Sequence, residues 1–307
     1  MSYSQKLLAC ATAVRSVLPD PQRPGRVLSA VDKIEKADVL DPALMKLRQA
    51  VKSLPIGEDL RDVMHGRWLG HPVHPLLVQV PVGTWVSAAV LDLVPGKRYT
   101  AGLLVGTGLA AALPAAVTGW VDWAEMRKPQ MRVGVVHAAA NSVAVGCYAA
   151  SLFSRLRGRS LRGRAWGFAG LAAVGVGGAL GGHLAYRQAA AVNHAEDVSV
   201  RTEPGWHSLG ATSDLPVGEA VRRHVGDVPV VVVRESGGAV HVLADRCSHM
   251  AGPLSEGKVS DGCVTCPWHG SVFRLTDGWN VSGPATAPQP AFETRNVDGR
   301  VEARLNK

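Results

Sequence analysis

The sequence predicts a multidomain chain in three parts: an N-terminal helical segment, a four-helix transmembrane bundle and a C-terminal all-β domain. Three observations carry this. Four apolar stretches occupy 76–94, 100–120, 133–153 and 165–186, each long enough to cross a hydrocarbon core as a helix. Short β-branched runs separated by glycine turns fill the C-terminal third. Between those runs stand Cys247-Ser248-His249 and Cys266-Pro267-Trp268-His269, two Cys/His pairs with sixteen residues between them. The implied boundaries are 1–67 for the helical segment, 68–187 for the bundle, 188–204 for a linker and 205–307 for the β domain.

In the first part, Asp41-Pro42 makes a good helix start, and Leu44, Leu47, Val51 and Leu54 follow at helical spacing. That face is expected to pack on another helix or on a membrane surface. The apolar run 7–14 is too short, and has no convincing cleavage site, for a secretory signal. Cys10 and Cys147 are isolated and indicate no disulfide framework.

In the second part the apolar stretches carry one charge, Asp92, and lack the polar stripe of a soluble bundle's helices. Hydrophobic residues make up 47% of the chain and aromatics only 5%, so these stretches are built from Ala, Val, Leu and Gly. Without water to drive association, small residues let membrane helices pack closely, and Gly102/Gly106, Gly177/Gly181 and Gly178/Gly182 are spaced for that. Pro81 and Pro114 are expected to bend their helices. The run His71-Pro72-Val73-His74-Pro75-Leu76-Leu77-Val78, followed by Pro81-Val82-Gly83 and Asp92-Leu93, resembles a bacterial membrane-domain family of unknown function. That resemblance covers roughly 65–186 and implies a four-helix membrane domain.

Alternation of chain direction puts His71, His74, Trp120, Asp122, Trp123, His137 and His183 on one membrane face, together with both termini. Ionisable groups in or beside spans are functional candidates. His71, His74, His137 and His183 are therefore candidate ligands of a haem b or walls of a quinone site; interfacial caps and interhelical hydrogen bonds are the structural alternative. The opposite face carries Lys97, Arg98, Arg155, Arg157, Arg159, Arg162 and Arg164. By the positive-inside rule that face is cytoplasmic and the β domain is exported. No export signal supports this, so the two signals oppose each other and the side stays open.

In the third part, 229–234 and 239–244 flank Ser236-Gly237-Gly238 as a hairpin, and 272–275 and 301–305 read as further strands. Two Cys and two His also form a zinc set, but zinc fingers commonly pair Cys with Cys and His with His. The alternating pairs, the Gly- and Pro-rich runs around them, Gly270-Ser271-Val272-Phe273 after the second and Ser282-Gly283-Pro284 as a third loop closely resemble the Rieske family. The resemblance implies one [2Fe-2S] cluster, with Cys247 and Cys266 on one iron and His249 and His269 on the other, the imidazoles facing a partner. It also implies Ser271, Phe273, Pro284 and Trp268 as the cluster's surroundings, and proton transfer coupled to the electron. The extra cysteines of the quinol-oxidising members have no counterpart in 250–252 or at Trp268, and Cys263 reads as a packed thiol. High-potential members place a Ser and a Tyr near the second loop. Ser271 matches, whereas Phe273 has no hydroxyl, which implies a potential nearer the ferredoxin-like members.

Only 38 residues, without a His, follow His269, so the mononuclear iron domain of a Rieske oxygenase is not expected. The basic excess sits in 68–200, with 11 basic and 5 acidic residues against 11 and 12 in 201–307, which excludes nucleic acid as the reason for the high pI. The expected function is that of a membrane-anchored carrier of single electrons between a donor and an acceptor. A membrane oxidoreductase with a haem or quinone in the bundle, and a redox sensor, are the alternatives.

Overall fold

Leu44 and Val51, two turns apart on one helical face, bury themselves against Trp123, Ala124 and Met131 and so fix the N-terminal segment to the membrane-type helices. A computed structural model describes residues 25–306; the run 7–14 and Cys10 lie outside the described residues. The segment forms α1 (Arg26–Glu35), α2 (Asp41–Lys52) and α3 (Glu58–His65). The helix that Pro42 starts ends at Lys52, which leaves Leu54 exposed beyond it. Of the two predicted supports for this face, helices cover Leu44 and Val51. Arg132 reinforces the joint, donating to Asp41 Oδ1 at 2.8 Å and to Glu35 O at 2.6 Å. Arg48 Nε donates to Ala124 O at 2.6 Å, and Lys52 pairs with Glu125 at 3.0 Å.

Four helical stretches follow that are long and apolar enough to cross a membrane: Val73–Asp92, Arg98–Trp123, Lys128–Leu156 and Ser160–Arg187. They contain α4 (Val73–Leu77), α5 (Gln79–Asp92), α6 (Arg98–Trp123), α7 (Lys128–Leu156) and α8 (Ser160–Gly182), the last running into a π turn over His183–Arg187. The break at Val78 has a cause in Pro81, whose missing N–H would have bonded the carbonyl of Leu77, the last residue of α4. Pro114 lies inside the unbroken α6.

Close approach among the helices depends on glycine. A Cβ at Gly108 would lie 2.2 Å from the Trp85 ring, one at Gly170 2.8 Å from Tyr148, and one at Gly177 2.5 Å from Asn141. Trp85 and Tyr148 stack at 4.1 Å in the middle of this bundle. Gly102 and Gly106 contact α7 through Arg155 and Leu152, whereas a Cβ at Gly178 would meet nothing within 4 Å.

The Arg-rich face differs from the sequence expectation in one respect. Arg155 is not a free loop cation: its guanidinium grips Asp92 at 2.9 and 2.5 Å, with side chains 7% and 2% exposed. Ser151 and Gly167 surround the pair, which ties the end of α5 to α7 and α8.

The β domain contains ten strands in two antiparallel sheets. The larger has the order β1 (His207–Ala211), β10 (Arg300–Leu305), β9 (Ala291–Val297), β4 (Val240–Ala244), β3 (Val228–Arg234), β2 (Ala220–Val225). The smaller has β5 (Lys258–Ser260), β6 (Cys263–Thr265), β7 (Val272–Arg274) and β8 (Asn280–Ser282) in sequence order. The uninterrupted valine run of β3 is explained by burial on both faces. Val230 and Val232 point into one core with Leu209, Val242 and Val301, while Val231 and Val233 point into the other with Leu243, Val264 and Phe273. The stretch predicted as a linker supplies Ala195 and Val198 to the first of these cores and forms the short α9 (Val198–Arg201).

Candidate metal centre

The two Cys/His pairs occupy equivalent turns at one end of the smaller sheet. In the loop after β4, Cys247 N–H donates to Gly252 O and Ala251 N–H to Cys247 O, both at 2.8 Å. In the loop between β6 and β7, Cys266 N–H donates to Ser271 O at 2.8 Å and Gly270 N–H to Cys266 O at 3.1 Å. Each turn closes on its own cysteine and carries a residue in the left-handed region, Ala251 at φ 62° and Gly270 at φ 75°.

The turns bring all four side chains together. Cys247 and Cys266 are 1% and 3% exposed, inside the core shared by the sheets. Lying in one buried core, the two thiols perturb each other: Cys266 and burial push the Cys247 thiol up, and Cys247 holds Cys266 down to about 6. The His249 and His269 rings lie 5.0 Å apart, centroid to centroid, and nearly perpendicular at 88°. Burial holds the His249 imidazole well below its ordinary range and lowers His269 as well. Both Nδ1 atoms are buried and have no hydrogen-bond partner in the protein. A buried polar atom left unpaired in this way costs about 1–3 kcal/mol unless something binds it.

These residues fit a [2Fe-2S] centre: two thiols adjoin on one side, two unsatisfied ring nitrogens on the other, and the space between the loops is kept by glycine. A Cβ at Gly252 would lie 2.9 Å from Cys266 Sγ and 3.0 Å from the Trp268 ring. Among the described residues no three His, Cys, Asp or Glu side chains converge on a single ion position. Convergence as two pairs is what a two-iron centre requires, whereas structural zinc gathers four ligands around one point.

The expected surroundings are placed as follows. Ser271 is fully buried and its Oγ accepts from Ala285 N–H at 3.1 Å, leaving its own hydrogen free to turn elsewhere. Phe273 is fully buried in the core that contains both cysteines. Trp268 is half-exposed and covers Gly252, and Pro284 stands beside His249. Cys263 is half-buried on β6.

Gln289, which sequence reasoning missed, clamps the first loop: its Oε1 accepts from Ser248 N–H at 3.0 Å while Nε2 donates to Ala244 O at 2.7 Å and Arg246 O at 2.6 Å. Asp245 is equally hidden from a motif search. It accepts from Ser255 N–H and from Arg222, both at 2.6 Å.

The loops around the centre are hydrogen-bonded to the chain's own helical part, while His249 and His269 stay partly exposed. Asp62 on α3 accepts from Gly283 N–H at 3.0 Å, Arg67 donates to Asn280 O at 3.2 Å, and His194 N–H donates to Ser248 O at 2.9 Å. Between the domains lies a cavity of about 20 Å³ lined by His65, Asp122 and Glu125 on the helical side and by His249, Met250 and Pro284 on the other.

The four histidines proposed for haem or quinone do not form one cluster. His74 and His137 approach to 6.3 Å between ring centroids, and His74 Nδ1 donates to Ala115 O and His137 Nδ1 to Gly177 O, both at 2.8 Å. His183 donates to Glu35 at 2.5 Å, and His71 is exposed and bonds the Pro72 carbonyl. His74, His137 and His183 thus make interhelical bonds of the kind set out above as the structural alternative, and His71 bonds the carbonyl of its chain neighbour.

Paired buried thiols opposite two unsatisfied imidazoles, on equivalent turns of a two-sheet β domain, define an iron–sulfur protein of the ferredoxin class. The comparisons name the family. Residues 205–293 match the Rieske [2Fe-2S] domain, and residues 70–194 match a family described as predicted membrane protein (DUF2231). The ferredoxin subunit of anthranilate 1,2-dioxygenase from Burkholderia cepacia is 38% identical over 100 residues, which are 33% of this chain and 92% of that protein. Ferredoxin CarAc of Metapseudomonas resinovorans is 35% identical over 98 residues, 31% of this chain and 90% of its own length. In a solved complex of reduced oxygenase and oxidised ferredoxin in carbazole 1,9a-dioxygenase, one chain is 32% identical, with a TM-score of 0.30 and coverage of 32% of this chain and 92% of that one. Through its C-terminal domain the chain belongs to the Rieske [2Fe-2S] family, and that domain carries a single [2Fe-2S] cluster.

Proposed function

We propose that this protein is a membrane-anchored carrier of single electrons, in which Cys247 and Cys266 hold one iron and His249 and His269 the other. The observation that carries the assignment is the pair of buried Nδ1 atoms without partners, on the same two turns as two thiols buried in one core. When bound, the cluster accepts and returns one electron, at a potential raised by imidazole in place of thiolate. The chain's own residues do the rest. The two closed turns hold the ligands, the hydrophobic core around Cys247 and Cys266 keeps water from the sulfurs, and the buried Ser271 keeps a hydroxyl hydrogen that its bond from Ala285 N–H does not use.

The relatives' names, a dioxygenase ferredoxin subunit and a ferredoxin, support a carrier that takes electrons from one redox protein and gives them to another. The β domain comprises 205–307 and the anchor 68–187. The four helices cross the membrane, with the β domain and the N-terminal segment on one side, because α3 and the cluster loops touch each other.

Membrane-purified protein is expected to contain about two irons and two labile sulfides per chain and, when reduced, to give the EPR signal of a Rieske centre. His249→Ala and Cys266→Ser should each abolish that signal. Zinc in place of iron in the wild-type protein, or an unchanged signal in either variant, overturns the assignment. Protease protection in sealed vesicles reports the side on which the β domain lies.

A further inference from the structure

His65 and Asp122 are 57 positions apart, yet His65 Nδ1 donates to Asp122 Oδ1 at 3.0 Å with side chains only 5% and 11% exposed. Desolvating an imidazole and a carboxylate costs several kcal/mol, so a pair of this kind is weak as a mere fastener. Its position suggests another use. Both residues line the interdomain cavity whose opposite wall includes His249, Met250 and Pro284. At about 20 Å³ the cavity has room for one water and none for a larger ligand. A buried water needs two to four polar partners, and His65, Asp122, Glu125, Thr286 and His249 are the polar side chains around it.

The walls are held in register. Asp62 and His65 are one helical turn apart on α3, so the helix that presents the imidazole also clamps the loop over the cluster through Gly283. Arg67, in the turn that follows, fixes Asn280. From the other side His194 N–H fixes Ser248, between the ligands Cys247 and His249.

We propose that His65 and Asp122 are positioning residues for the cluster, an imidazole–carboxylate pair supplied by the helical domain that reaches the His249 side of the centre through a water in the shared cavity and sets its reduction potential. The inference rests on the ligand assignment above. Groups beyond the ligands tune a metal centre through hydrogen bonds and charge. Here they belong to a different domain, so the potential depends on the two domains being docked.

The test uses the full chain in detergent, with EPR-monitored redox titration of His65→Ala, His65→Gln and Asp122→Asn, and measurement of exchangeable deuterons near the reduced centre. His65→Ala leaves the Asp122 carboxylate unpaired beside the cluster and should lower the potential. Asp122→Asn removes that charge and should raise it. His65→Gln, which keeps a polar side chain at the cavity, should return the value towards wild type. A deuteron coupling present in the wild type should be lost in His65→Ala. A merely structural fastener predicts shifts of the same sign in His65→Ala and Asp122→Asn, or none, and either result overturns the proposal while an intact iron signal leaves the ligand assignment standing. Wild-type protein without the iron signal removes the assignment itself and this inference with it.

Discussion

Gln289 shows what a single side chain contributes here and why motif reading passes over it. Its amide satisfies one N–H and two carbonyls of the strand and loop that present Cys247 and His249, from a position 1% exposed. Replacing it by Leu keeps much of the volume and strands three backbone groups. Each unsatisfied group costs about 1–3 kcal/mol, so Gln289→Leu should destabilise the β domain by roughly 3 kcal/mol or more. Thermal unfolding followed by loss of the visible absorption of the cluster measures this, and an unchanged midpoint refutes it. Ser271 offers a smaller test: if its free hydroxyl hydrogen points to the cluster, Ser271→Ala lowers the potential while leaving iron content unchanged. The four proposed ligands were legible because each Cys lies two or three residues from its His, and local turn geometry converts that spacing into proximity. Gln289 lies more than forty residues from the groups that it bonds, and no local spacing encodes that.

At the scale of elements, the four apolar helices and the β3–β4 hairpin were legible, since hydropathy and alternation express burial directly. The short strands β5, β6 and β8 were not: three residues are too few to show a period, and pairing with neighbours defines them. The Asp92–Arg155 pair was read as two separate features, a lone acid and a loop cation, because its partners stand 63 positions apart. Removing one member of a buried pair strands the other charge, at a cost of about 3–5 kcal/mol. Asp92→Ala should therefore destabilise the bundle by about 3 kcal/mol in detergent unfolding, and the double variant Asp92→Leu/Arg155→Leu should recover a large part of the loss. Failure of the double variant to recover shows that the pair is not the reason.

The joint between α2 and α7 has a predictable pH range. Arg132, with Lys128 behind it, holds the Asp41 carboxyl below the usual aspartate range. A carboxyl depressed by folding adds stability above its unfolded pKa, about 3.9, and loses it as pH falls through the lower folded value. The N-terminal helices should therefore stay docked at pH 5 and loosen only below about pH 4. Cleavage of the N-terminal segment by an acid-active protease, followed from pH 5 downwards, checks this, and release already at pH 5 contradicts it.

The whole molecule is organised by the docking of the cluster end onto the helical domain, a feature with no signature in composition or motif because its contacts join residues more than fifty, and in two cases more than two hundred, positions apart. The connection between the domains is itself held under tension. Ala189 and Ala191 adopt φ of 52° and 59°, a left-handed conformation that costs an alanine about 1–2 kcal/mol. Bonds from Gln130 Nε2 to Gln188 O at 2.8 Å and from His194 N–H to Ser248 O at 2.9 Å keep it there. The clamp on the far side is small, two hydrogen bonds from the charged side chains of Asp62 and Arg67, each worth about 1.5–3 kcal/mol. Asp62→Ala/Arg67→Ala should shift the docking equilibrium towards the open form by at least one such bond, and proteolysis of a transiently opened state follows its population. Limited trypsin digestion after Arg187 and Arg201, which bracket the connection, should then accelerate roughly tenfold or more. The EPR signal should persist, since neither residue is among the proposed ligands, and its potential should move away from the docked wild-type value because opening removes both His65 and Asp122 from the centre. Unaltered cleavage together with an unaltered potential would mean that the cluster end is held by something other than α3 and the turn after it.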